Sequence, residues 1–165
     1  MFSLIEFKGK KLVIAFSYFL FLLYIGIASI LLFFSSYRQA VRFGKNASFT
    51  EYNLVPFHTI MNYINATGYI NTSIVITNLA GNILAFMPLG FFLPLLFKRY
   101  LKFRKTILVV IASTFTVECL QYIFRVGSFD VDDLILNTVG GGLGFVIFKV
   151  ISLLLQVNPL AKKNN

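Results

Sequence analysis

The chain has 165 residues, of which 58% are hydrophobic and 13% charged, with twenty phenylalanines and a formal net charge of +9. A soluble domain carries about a quarter of its residues as charges, so this composition excludes one and points to an integral membrane protein. The basic residues flank apolar runs instead of forming one basic face, which argues against a nucleic-acid partner.

Starting from the N-terminus, Lys8, Lys10 and Lys11 precede an apolar run over 12–34. The run is longer than the apolar centre of a secretory signal and no A-x-A site follows it, so an uncleaved anchor is expected. Runs over 74–97, 106–124 and 134–155 are also long enough to cross a hydrocarbon core as helices. The expected fold is all-α: one domain over 1–165, a bundle of four transmembrane helices, with no internal repeat and both termini cytoplasmic. The orientation follows from charge. An even number of spans puts three N-terminal lysines, five basic residues of the loop (Lys98, Arg99, Lys102, Arg104, Lys105) and the tail pair Lys162 and Lys163 on one side. Arg38, Arg42, Lys45 and Arg125 fall on the other, which the positive-inside rule makes the outside.

Within the second run, Pro88, Gly90 and Pro94 free backbone carbonyls that must be satisfied inside the bundle, and a kink is expected there. The fourth run holds Gly140, Gly141, Gly142 and Gly144; the Gly140 to Gly144 spacing suits close helix packing.

Polar residues interrupt these apolar runs at matching depth. Four of the six acidic residues, Glu118, Asp130, Asp132 and Asp133, lie between Glu118 and Asn137. An ionisable group at the centre of a bilayer costs roughly 2.5–3.5 kcal/mol on insertion scales, so Glu118 marks a site or a paired structural contact. Asn78 with Asn82, Glu118 with Gln121, and Gln121 with Arg125 are spaced to line single helix faces, and Asp133, Asn137 and Gly141 form a further stripe. Given the expected topology, all lie within about 12 Å of the outer surface, at 1.5 Å per residue. Arg125 is expected to lie back over Gln121 and pair with Glu118.

Three blocks resemble the VanZ-like membrane protein family. The first is N-L-V-P-F, from Asn53 to Phe57. In the second, G-N-I-L-A-F-M-P-L-G, Asn82, Phe86, Pro88 and Gly90 fall at family positions. The third holds Glu118, Gln121 and Arg125, then D-V-D-D-L-I-L-N-T-V-G-G with Asp130, Asp133, Asn137, Thr138, Gly140 and Gly141. Asp132 and Cys119 stand outside that pattern. The resemblance implies a protein of the bacterial cytoplasmic membrane that acts on the cell envelope and lowers susceptibility to teicoplanin or related lipoglycopeptides. It implies no known reaction.

The residues leave several readings open. In one, Glu118 is a general acid or base, with Gln121, Arg125, Asp130 and Asp133 as further catalytic groups and Asn53, Asn78, Asn82 and Asn137 binding an envelope lipid or lipid-linked glycan. In another, the same groups form a satisfied network that locks the bundle, and the protein only binds or shields a lipid or lipopeptide, with Arg38, Arg42 and Lys45 near headgroups. A cation site built from the D-x-D-D run and Glu118 is weaker, because Asp130 or Asp132 equally suits a helix cap. No cofactor is expected. A lone cysteine, Cys119, and a lone histidine, His58, exclude an intramolecular disulfide and make a zinc site unexpected.

Overall fold

The computed structural model describes residues 2–34, 52–65 and 72–154. Arg38, Arg42, Lys45, Lys162 and Lys163, which the charge argument used, lie outside the described residues. Four helices are long and apolar enough to cross a membrane. They are α1 (Phe2–Phe34), α3 (Thr72–Leu96), α4 (Phe103–Ile123) and α5 (Val131–Leu154), and a short helix α2 (His58–Asn65) lies between the first two. The expected spans are all present, with ends shifted by a few residues except in α1, whose helix takes in Lys8, Lys10 and Lys11 as well.

The centre of the bundle is the parallel pair α3 and α5. Glycines make it possible: a Cβ placed on Gly140 would overlap the carbonyl oxygen of Ile83, and one on Gly144 would overlap that of Met87. Phe91 meets Phe148 with ring centroids 6.3 Å apart. Thus 83, 87 and 91 stack against 140, 144 and 148, one helical turn per step, and the small residues let the two backbones touch. The expected packing role of the Gly140 to Gly144 spacing is realised here.

The helix α4 runs antiparallel to α5 and contributes Val110, fully buried against Gly141. At the periphery, α1 runs antiparallel to α3: Tyr18 meets Phe97, Phe21 meets Phe92, and the Tyr24 hydroxyl donates to the Ala85 carbonyl at 2.8 Å. The last contact lies in the turn of α3 that Pro88 disturbs, where freed backbone acceptors need donors from neighbours. The helix itself continues through both Pro88 and Pro94.

Each end of the bundle has its own chemistry. At one, the basic loop folds tightly: a 3-10 turn covers Lys98–Tyr100, and the buried Thr106 hydroxyl donates to the Tyr100 carbonyl at 2.7 Å. At the other end, β1 (Tyr52–Asn53) pairs in parallel with β2 (Phe129–Asp130), matching Tyr52 with Phe129 and Asn53 with Asp130. This two-residue ladder clamps the segment before α2 to the start of α5.

Candidate functional site

Asp130 organises the clamped end. It is the residue before α5, and its Oδ1 accepts the Asp132 backbone N–H at 2.8 Å, an N-cap of the kind the sequence suggested. The same oxygen accepts from Asn53 Nδ2 at 3.0 Å, while Oδ2 accepts the Thr59 hydroxyl at 2.6 Å. Asn53 in turn accepts the Val55 backbone N–H, forming an Asx turn that shapes the N-L-V-P-F segment. Asp130 and Asn53 therefore hold backbone and loop together.

Asp132 is fully buried, with 0% of its surface exposed. Its two oxygens accept the backbone N–H groups of Phe57 and Ile60, the latter at 3.1 Å. These are N-terminal donors of α2 that no carbonyl of the helix can satisfy, so one carboxylate supplies from another element what a capping box supplies locally. Sequence reasoning set Asp132 aside as an extra acid. The third acid of the run, Asp133, accepts from Asn82 Nδ2 of α3. The three aspartates thus turn to three different partners, and among the described residues no three His, Cys, Asp or Glu side chains gather as a metal site.

Glu118 is 2% exposed, and its Oε2 accepts the Asp130 backbone N–H at 3.2 Å. It belongs to the buried seam of α4: Thr106, Val110, Thr114, Glu118 and Gln121. The seam has the helical spacing of a core stripe, yet Val110 is its one apolar member. One turn below Glu118, the Thr114 hydroxyl accepts from Asn137 Nδ2 at 2.7 Å, leaving Asn137 Oδ1 buried without a hydrogen-bond partner. Asp133, Asn137 and Gly141 do form one inward stripe on α5. Thr114 was not singled out in the sequence, although its place one turn before Glu118 on a seam position was a usable signal.

Two expectations are corrected. Gln121 does not turn to the α5 stripe: its Nε2 donates to the Leu32 carbonyl at 3.0 Å. Leu32 is in the last turn of α1, where carbonyls lack helical partners, so the amide tethers that end. Its Oε1 is buried and, like Asn137 Oδ1, accepts no hydrogen bond. Arg125 is not one turn beyond Gln121 on the helix, because the helix ends first. Arg125 is exposed with φ 56°, its N–H donates to Tyr122 O at 3.1 Å, and Val126 N–H donates to Gln121 O at 2.9 Å. This is a Schellman motif with arginine at the left-handed position that glycine usually fills. A non-glycine there costs about 1–2 kcal/mol. Arg125→Gly is therefore expected to melt higher than Arg125→Ala in detergent, by the equivalent of about 1 kcal/mol. The glycine variant removes the guanidinium without straining the turn, so it is the right one for functional assays.

Asn78 lies one turn before Asn82 on α3, partly buried, and His58 is exposed at the start of α2, where its ring nitrogen Nε2 lies 3.3 Å from Asn62 Nδ2. Every lysine and arginine whose side chain is described is exposed, whereas Glu118, Asp130 and Asp132 are buried. In the buried centre the Gln121 and Asn137 amide oxygens are acceptors, and what they can take chemically is a hydrogen-bond donor such as a hydroxyl or an ammonium.

Residues 21–153 match the VanZ/LLP1 family. Over 102 residues the chain is 31% identical to "Protein VanZ" of Enterococcus faecium, a match that spans 59% of this chain and 60% of that protein. No solved structure gives a significant match. The family match takes in the four long helices from Phe21 onward, together with the clamped segment and the acidic turn, and the chain belongs to the VanZ/LLP1 family.

Proposed function

We propose that this protein sits in the bacterial cytoplasmic membrane, works from the outer leaflet on the cell envelope, and lowers susceptibility to teicoplanin or a related lipoglycopeptide. Its orientation rests on the basic residues at the Lys98 end, which the positive-inside rule assigns to the cytoplasm; the Asp130 end then faces outward. Glu118, Gln121 and Asn137 are its working groups. Asp130 and Asn53 hold the surrounding backbone, and the Asn82 bond to Asp133 ties α3 to α5. The observation that carries this reading is that Glu118, Gln121 and Asn137 are all buried polar side chains, and that the amide oxygens of the last two accept no hydrogen bond. Buried polar atoms are almost always satisfied in native proteins, so two buried acceptors without donors favour a ligand that brings them. The hydroxyls of an envelope glycan or the ammonium of a lipid headgroup fit that chemistry better than a phosphate.

A second reading, catalysis with Glu118 as general acid or base, keeps the same site. It is the weaker one, because Asp130 and Asp133 are committed to Asn53, Thr59 and Asn82. Glu118→Gln is the test: teicoplanin susceptibility should return to that of a host lacking the protein, while folded protein in the membrane stays near wild type. A parallel loss of folded protein would instead make the carboxylate a structural group. Envelope lipids and muropeptides from cells with and without the protein, compared by mass spectrometry, then separate the two readings. An altered species selects catalysis.

A further inference from the structure

The short helix α2 has three distinct faces. At about 100° per residue, Met61 and Ile64 fall on one arc, His58, Asn62 and Asn65 on the next, and Thr59, Ile60 and Tyr63 on the third. Burial follows the arcs. The third arc is partly buried against the bundle, held by the Thr59 bond to Asp130, and the other two are exposed. Met61 and Ile64 each leave half or more of their surface open, and Leu54, Val55 and Phe57 in the preceding turn do the same. No Lys, Arg, Asp or Glu occurs between 52 and 65. An exposed apolar arc beside an exposed polar arc has no explanation in a helix surrounded by water.

The depth of this helix is fixed by Asp132. The Phe57 and Ile60 amides bond to that carboxylate, and Asp132 is the second residue of a candidate membrane span, Val131–Leu154. The helix therefore lies level with the first turn of α5, where hydrocarbon gives way to headgroups. Its open apolar arc continues the apolar outer surface of the spans at that boundary. We propose that α2 with the turn before it is an interfacial anchor, its Leu54, Val55, Phe57, Met61 and Ile64 side chains seated among the acyl chains and glycerol groups of the leaflet at the Asp130 end. The polar arc with His58 and Asn62 then faces water. Amphipathic interfacial helices bury their apolar face about 5–10 Å into the boundary region. This goes beyond the function proposed above and does not depend on it.

The chain contains no tryptophan, which permits a direct test. Met61→Trp, Ile64→Trp and Asn62→Trp are made singly and the full-length protein is reconstituted in phosphatidylcholine/phosphatidylglycerol vesicles with or without brominated acyl chains. Emission from Met61→Trp and Ile64→Trp should fall about twofold or more with brominated lipid and resist acrylamide, as expected at that depth. Asn62→Trp should show the reverse. If the first two are quenched by acrylamide as readily as Asn62→Trp and ignore brominated lipid, the face is in water and the proposal fails. Protection from both quenchers would also overturn it, by showing that a second copy or another protein covers the face. Because Met61 and Ile64 are both exposed, failure of one variant to fold leaves the other to decide.

Discussion

Gly144→Val is expected to remove most folded protein from the membrane. Any Cβ at this position overlaps the Met87 carbonyl oxygen and comes within 2.9 Å of the Phe91 backbone nitrogen. Overpacking against a side chain costs about 1–3 kcal/mol because the neighbour can rotate away. A backbone neighbour cannot, so α3 and α5 must separate, and the Asn82 bond to Asp133 across the same pair is lost with them. The control is Gly142→Ala. A Cβ there meets only the Ile107 Cδ1 at 3.8 Å and the Phe103 ring at 4.0 Å, ordinary contacts. That variant should be as stable as wild type or gain up to about 1 kcal/mol, the helix-propensity difference between the two residues. Fluorescence-detected size exclusion and melting temperature in detergent compare the two directly.

Asp132→Ala should free the clamped segment while leaving the spans intact. The substitution strands two partly buried donors, the Phe57 and Ile60 amides, and a donor left unsatisfied costs up to about 1–3 kcal/mol where it is cut off from water. Exchange of the α2 amides with deuterium should then speed up by about tenfold to hundredfold, since each 1.4 kcal/mol of opening free energy is a factor of ten. Amides in the middle of α4 and α5 should be unchanged. Asp132→Asn keeps one carbonyl acceptor in the same shape and is expected to fall between wild type and alanine. Equal exchange in all three proteins would mean that the β1–β2 ladder and the Asp130 contacts hold the segment without this cap.

Much of this architecture was legible because it is written in side-chain periodicity. The four spans follow from apolar length, and the Asp133, Asn137 and Gly141 stripe follows from helical spacing. The paired positions of the glycines follow from the need for two backbones to meet. What the sequence hid involves backbone partners. Asp132 bonds two main-chain amides, and main-chain amides at 57 and 60 look like those of any other residue. Gln121 serves a carbonyl of α1, a helix whose apolar sequence shows no polar demand. The end of α4 was misjudged for a similar reason. A glycine signals the left-handed residue after a helix, but here Arg125 takes it and Gly127 comes two residues later. The expected Arg125 to Glu118 register assumed a helix that had already stopped.

The clasp at the Asp130 end joins parts of the chain that are far apart during synthesis. Asn53 and Asp130 are 77 positions apart, and Phe57 and Asp132 are 75. A nascent chain that has inserted three spans still lacks both carboxylates that receive the segment, so Asn53, Thr59 and the α2 amides stay without those acceptors until the last span arrives. Completion of the fold at this end is thus timed by translation of Asp130 and Asp132, and a ribosome-stalled chain ending before them would carry an unlatched segment.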